Sequence, residues 1–451
     1  MMETVSSPSI SPDSKVGRFA PGIVDPGKED RAAHGIPVVP AFDGYRAYAI
    51  LGIVVGHLLG RSGVLAVAGS NWFGQLVQGT LGHFVDILFI ISGFVVFLPT
   101  VARRGEFGHV PSYAVRRAAR LVPAYWAVLA IVVVLASVVA VNPPIPVPGL
   151  DNIAVHAAFL QQPAGLVHDF GAVGFGSDPA LWTMSLEVAF YVVLPFIAAW
   201  YFRRPLLGLL IAAAITIAWR EALLHWSTTE ALLGHPSPET SGRLHLLGLL
   251  QFPSYAFSFA AGMTGAWAYV RLRQRKLLEQ HAHLVGRVQL AALVSLATFC
   301  FVLAHGTLGT SLVARDSPII VLGFTASLTA LMVATALGRI GWQRPFAHPL
   351  ARRLGDISYG IYLIHLVVIT YAVRLLFEHS TAIAGQSASL NANGSLGTFV
   401  ALAALVLPLT VGYGYVSGRY LEQPIRRWAH RFGRRAQVVP ASQPAKASPP
   451  G

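Results

Sequence analysis

Cysteine is all but missing: Cys300 is the single one in 451 residues. That excludes an internal disulfide and any cysteine-based metal cluster. Charge is also scarce. Asp, Glu, Lys and Arg make up 12% of the chain, against roughly a quarter in soluble domains. Acidic residues are the scarcest, 20 against 33 Lys and Arg. No polar stretch is long enough to fold alone, and no apolar run near Met1 offers the core of a cleavable signal. What is present is apolar: 54% hydrophobic residues and a mean hydropathy of +0.58. So much apolar surface cannot hide behind so few charges. A soluble enzyme and a disordered chain are both excluded, and the natural solvent is a bilayer.

A spanning helix needs about 20 mainly apolar residues. Ten runs qualify, near 44–66, 84–102, 121–141, 181–202, 205–225, 252–270, 288–305, 318–338, 356–377 and 397–418. The fold expected is all-α: a polytopic membrane protein of about ten transmembrane helices, with N- and C-termini cytosolic. The basic residues fix that orientation. Of the 33 Lys and Arg, 27 fall in segments expected inside and five (Arg61, Arg220, Arg243, Arg315 and Arg374) in segments expected outside. Arg46 begins the first helix. This is the positive-inside bias. The basic balance therefore reflects topology and contact with anionic membrane lipids, and nucleic acid is not an expected partner. Residues 1–41 read as a disordered cytosolic tail, 42–428 as the membrane domain, and 429–451 as a basic, then disordered, tail. The outer segment 142–180 has no Lys or Arg and carries Asp151, Asp169 and Asp178.

Several ionisable residues stand where lipid should exclude them, and such residues are functional candidates. Arg46 and His57 lie eleven residues apart, within roughly 20° of three helical turns. They share a face about 16 Å apart along the axis. Asp86, in FVDILFIISGF, and Glu187, in LWTMSLEVAFY, sit on helices expected to enter from outside, at a depth similar to His57. A carboxylate beside an imidazole sets its tautomer and raises its basicity. Each residue has a structural alternative. Arg46 can snorkel to headgroups, His57 can bond a neighbouring helix, and Asp86 or Glu187 can form a buried ion pair. His365, in ISYGIYLIHLVVI, is equally a packing hydrogen bond or a site residue. In the segment VRRAARLVPAY, Arg117 and Arg120 project together at a helix start and suit phosphate oxygens. A cytosolic loop would also carry arginines in any case.

Taken together, these segments resemble the acyltransferase-3 family of integral membrane O-acyltransferases. FDGYRAYAILGIVVGH is similar to its first-helix signature, a basic residue, ten residues, then histidine. FVDILFIISGF, RRAARLVPAYW, LWTMSLEVAFYVVLP, LGDISYGIYLIH and YLEQPIRR resemble its later blocks, in order, from about residue 42 to 428. One departure is visible: Val188 follows Glu187 where the family commonly has a second acid. Some members carry an appended extracytoplasmic hydrolase-like domain, which this chain is expected to lack. The resemblance implies acyl transfer from cytosolic acyl-CoA, acetyl-CoA by default, to a hydroxyl, typically on a sugar. It implies His57 as the catalytic histidine, Arg46 as its motif partner, and Arg117 and Arg120 as arginines that meet the donor.

The chemistry of the residues agrees. Acyl-CoA is a polyanionic co-substrate and should dock on Arg116, Arg117 and Arg120. His57 would take the acceptor proton as the oxygen attacks the thioester, with Glu187 or Asp86 orienting the imidazole and Arg46 meeting the donor arm or the developing charge. A covalent acyl-histidine is the other possible course. No metal and no permanently bound cofactor is implied. Acceptors that fit are a cell-envelope glycan or glycolipid, or a secondary metabolite such as a macrolide. Ten helices with intramembrane charges also describe a transporter or flippase, but no matching halves with Gly/Pro-broken helices are seen.

Overall fold

The structure, a computed structural model, describes residues 36–65, 72–142, 144–168, 174–234, 236–273, 282–305, 317–376 and 395–435. Residues 1–35 of the expected tail 1–41 and residues 436–451 of the expected tail 429–451, with Asp169 and Arg315, lie outside the described residues. Apolar runs of spanning length fold as helices because only a helix bonds its own backbone in lipid. Ten long helices follow in order: α1 (Pro40–Arg61), α2 (Phe84–Ala102), α3 (Val110–Val138), α4 (Trp182–Arg203) and α5 (Pro205–Leu224). Then come α6 (Phe252–Arg273), α7 (Ala282–His305), α8 (Pro318–Leu337), α9 (Pro349–Leu376) and α10 (Leu396–Val416). A short helix, α11 (Gln423–Arg435), follows a π-helical turn at Ser417–Glu422. No strand is formed among the described residues.

Nine helical stretches among the described residues are long and apolar enough to cross a membrane. They coincide with nine of the ten expected spans. The remaining one, α1, is as long but is diluted by Arg46, His57 and Arg61. It packs along α9 inside the bundle, so its polar residues face protein.

Three boundaries differ from the sequence reading. The third helix begins at Val110 rather than near 121, because His109 Nδ1 accepts the Ser112 N–H at 3.3 Å and Pro111 suits the first turn. The arginines of the expected loop therefore lie within α3. The expected boundary at 428 falls inside α11. The outer segment folds back onto the bundle as two short helices, Leu150–Ala157 and Gln161–Val167. Gln161 donates to Tyr125 Oη and to the Leu181 carbonyl, and Ser185 donates to the Phe159 carbonyl at 2.7 Å. His156 in this segment is buried, and burial pushes its imidazole down to about 4, against the bond to the Asn152 carbonyl that pulls it up. It is therefore neutral at physiological pH.

The bundle centre is the contact of α2 with α6, α4 and α1. Phe94, Phe97 and Phe259 are buried there, and Phe190 stacks on Phe259 at 4.5 Å between centroids. Helices α2 and α6 meet backbone to backbone through glycine. A Cβ on Gly93 would lie 2.1 Å from the Phe259 carbonyl oxygen, and one on Gly262 2.1 Å from the Ile90 oxygen. The outward faces stay apolar: Phe196, Leu206 and Leu210 are exposed, as lipid contact allows.

Gly262→Ala is expected to destabilise the bundle by about 1–3 kcal/mol through overpacking. A Cβ on Gly286 of α7 would meet nothing within 4 Å, so Gly286→Ala should be neutral or stabilise by up to about 1 kcal/mol. Unfolding midpoints of the two variants in one detergent should move in opposite directions or differ clearly in size.

Candidate active site

Packing of α2 on α6 sets which α2 side chains face which neighbour. A helix turns about 100° per residue. Gly93 faces α6, so Asp86, seven residues earlier, falls back on nearly the same face. Ser92, one residue earlier, points about 100° away. The bonds agree. Asp86 Oδ1 accepts from Ser258 of α6 at 2.8 Å, and its Oδ2 meets His83 Nδ1 at 3.2 Å. Ser92 Oγ donates to Glu187 of α4 at 2.7 Å. Tyr191, one turn beyond Glu187, has its hydroxyl 3.5 Å from Ser92. Arg46 and Arg120 bring their charges within electrostatic reach of Glu187. Arg117 is held over the rings of Tyr113 and Tyr191, at 5.8 and 5.6 Å from their centroids, as a guanidinium prefers. Tyr113 in turn donates to the Tyr191 carbonyl.

The Ser92–Glu187–Tyr191 group, without Asp86 and its partners, lines a cavity of about 240 Å³. Arg46, Arg116, Arg117, Arg120 and Glu187 all reach it, along with Ser92 and Tyr191. On α2 its lining runs from Leu88 to Arg103, and on α1 it takes Asp43, Arg46 and Ile50. On α9 it takes Ser358, Tyr359 and Tyr362.

His57 and His365 stand beyond the cavity, on the continuation of the α1 and α9 faces that line it. Their rings pack at 5.3 Å between centroids. Tyr362, which lines the cavity, has its ring 5.4 Å from that of His365. Tyr362 is pinned by bonds to Thr183 Oγ1 and the Ala180 carbonyl. His365 Nδ1 donates to the Tyr362 carbonyl. That bond leaves the buried Nε2 as an acceptor, and among the described residues it has no hydrogen-bond partner.

The structure thus divides the expected site. It brings Arg46, Glu187, Arg116, Arg117 and Arg120 together and pairs His57 with His365. Neither Glu187 nor Asp86 bonds His57 among the described residues, so neither is placed to orient its imidazole. For Asp86 the reason is the helix face: depth matched, but rotation sends it to α6. Sequence reasoning missed Ser92, Tyr191, Tyr113, Arg103 and Arg426. Ser92 was legible within FVDILFIISGF as a polar residue in an apolar run, and Tyr191 as the residue one turn from Glu187. No group of three or more His, Cys, Asp or Glu among the described residues could hold a metal ion.

A helical membrane bundle with a basic intramembrane cavity and a histidine pair above it fits transfer of a group from an anionic donor. The chain belongs to the acyltransferase-3 family: a family model described as an acyltransferase domain matches residues 39–415. It is similar to the peptidoglycan O-acetyltransferase OatA of Listeria monocytogenes, 24% identical over 354 residues, covering 75% of this chain and 50% of that protein. It is also similar to a candidate O-acetyltransferase of Staphylococcus aureus (strain COL), 24% identical over 413 residues, covering 86% of this chain and 57% of the relative. The chain spans about half the length of the curated relatives it matches. No solved structure matches it. By family the chain carries an acyltransferase domain, and among the described residues its apolar helices are long enough to cross a membrane.

Ser92→Ala removes a hydrogen bond to a carboxylate and is expected to lower kcat/KM for acyl transfer about 10- to 100-fold. Ser258→Ala removes the same kind of bond from Asp86, and is expected to lower the unfolding midpoint while kcat/KM stays within about twofold. Paired kinetics and thermal unfolding of the two variants check this.

Proposed function

We propose that the protein moves an acyl group, acetyl by default, from cytosolic acyl-CoA to a hydroxyl of a carbohydrate, in a cell-envelope glycan or glycolipid. The observation that carries this is the cavity with five arginines on helices α1 and α3 and the end of α2, whose lining ends at Ile50 on α1 and Tyr362 on α9, about two turns and one turn short of the paired His57 and His365. A polyanion suits the basic part, and the bound arm would run along the Arg46–Ile50 face toward the histidines. Acyl-CoA would be a co-substrate rather than a resident cofactor. That one relative is a peptidoglycan O-acetyltransferase supports an envelope glycan as acceptor.

In this mechanism His57 takes the acceptor hydroxyl proton while the oxygen attacks the thioester carbonyl; the C–S bond then breaks, the ester is formed, and CoA leaves as the thiol with the proton returned by His57. His365 Nε2, a buried lone pair beside the His57 ring, accepts a hydrogen bond from His57 or from the incoming hydroxyl. It replaces the carboxylate in the role of fixing the imidazole. Glu187 positions Arg46 and Arg120 within the donor cavity. Arg46 meets the donor arm. Asp86 ties α2 to α6 and takes no part in the chemistry.

Purified protein with labelled acetyl-CoA and candidate acceptors tests the reading. His57→Ala is expected to abolish transfer, and a wild-type rate in that variant would sink the assignment. His365→Ala should reduce kcat with little change in donor KM. The donor KM of the Arg117→Ala, Arg120→Ala double variant should rise, and wild-type donor affinity should fall with salt. Asp151→Asn, on the exposed outer segment, should leave donor KM unchanged. Sealed inside-out vesicles should use added acyl-CoA directly. Equal use by sealed right-side-out vesicles would overturn the cytosolic donor side.

A further inference from the structure

Helix α11 is too short and too basic to cross a membrane. It does not leave the bundle either. The π-helical turn at Ser417–Glu422, in which Ser417 donates to Glu422 at 3.0 Å, joins α10 to α11 without a break in the helix. Helix α11 then packs along α3, the helix that carries Arg116, Arg117 and Arg120. Its faces are unlike. Arg426 and Ala429 are buried, and with His430 they line the cavity at i, i+3 and i+4 spacing. Arg427, Trp428 and Arg431 are exposed on the opposite side, as on a helix lying at a membrane surface.

The charge of the lining needs an explanation. Six arginines face the cavity (Arg46, Arg103, Arg116, Arg117, Arg120 and Arg426), against two acids, Asp43 and Glu187. Arg426 brings a buried guanidinium to a wall that already carries five arginines, and such a wall attracts a polyanionic occupant. The cavity is also long. On α2 it extends from Ser92, the partner of Glu187, to Arg103. Eleven residues of helix cover about 16 Å. Arg103 is fixed at the far end by bonds to the Glu106 and Phe107 carbonyls. An extended ligand with its charge at one end fits this shape.

We propose that α11 is a wall of the donor site, and that Arg426 binds a phosphate of the acyl-CoA nucleotide. This rests on the reading of acyl-CoA as donor. The nucleotide phosphates sit among Arg426, Arg103 and Arg116, and the pantetheine arm passes Arg117 and Ser92 on its way inward. A planar guanidinium matches phosphate oxygens in a way an ammonium does not.

The test compares two donors in the purified full chain: acetyl-CoA, and S-acetyl-pantetheine, which lacks the nucleotide. Arg426→Ala is expected to raise KM for acetyl-CoA about tenfold, leave kcat nearly unchanged, and leave KM for S-acetyl-pantetheine unchanged. Arg426→Lys should recover part of the loss. Arg427→Ala, on the exposed face, should leave both donors unaffected. Equal loss with both donors would mark α11 as a purely structural or membrane-surface helix and overturn the proposal. So would an unaltered KM for acetyl-CoA in Arg426→Ala while the wild type uses that donor well. If the wild type transfers from neither thioester, the donor reading itself fails, and this inference fails with it.

Discussion

Glu187 sits in a bilayer-spanning helix, and its hydrogen bond from Ser92 depends on how closely α2 and α6 approach. A carboxylate at bilayer depth costs at least about 2.5–3.5 kcal/mol on insertion scales. It persists there because Ser92 donates to it and Arg46 and Arg120 answer its charge. The same logic governs Arg117, which exchanges water for the faces of Tyr113 and Tyr191. Each charged group needs the others, so they cluster. A cluster of fixed charges inside a low-dielectric bundle is a preorganised electrostatic site.

The rotation of α2 then distributes its polar residues. With Gly93 against the Phe259 carbonyl, Asp86 faces Ser258 and Ser92 faces Glu187. One backbone contact therefore decides which of two polar residues, six apart, enters the site and which holds helices together. This explains how far the sequence could be read. Hydropathy and basic-residue bias placed nine spans because lipid imposes a length and a composition on a helix. Helical phase placed Arg46 and His57 on one face, since that needs no neighbour. Pairing across helices was not legible. Depth alone put Asp86, Glu187 and His57 together, but depth says nothing of rotation about a helix axis, and rotation is set by packing partners such as Gly262. The start of α3 was missed for a local reason: a His109–Pro111–Ser112 cap carries a helix outward through arginines that hydropathy assigns to a loop.

His365 illustrates a different limit. Nothing in its sequence neighbourhood distinguishes a packing residue from a functional one. The distinction appears only when its Nδ1 is seen spent on the Tyr362 carbonyl and its Nε2 left without a partner beside His57. Buried acceptors are almost always satisfied. In the proposed mechanism this one, next to a second imidazole, is where a hydroxyl would be received.

The two halves of the site also differ in kind. The cavity is rich in guanidinium and suits a ligand carrying several negative charges. The histidine pair offers imidazole nitrogens and suits a neutral hydroxyl. Tyr362, pinned by Thr183 and the Ala180 carbonyl, lines the cavity and reaches His365. A charged donor head therefore has no reason to travel as far as the histidines, whereas a slim acyl arm loses little by leaving the arginines behind. On the proposed function, separating a charge-binding region from a proton-transfer region would let one bundle bind a polyanion at one end. It would also keep the imidazoles away from that charge, where a nearby phosphate would favour their protonation and remove the base.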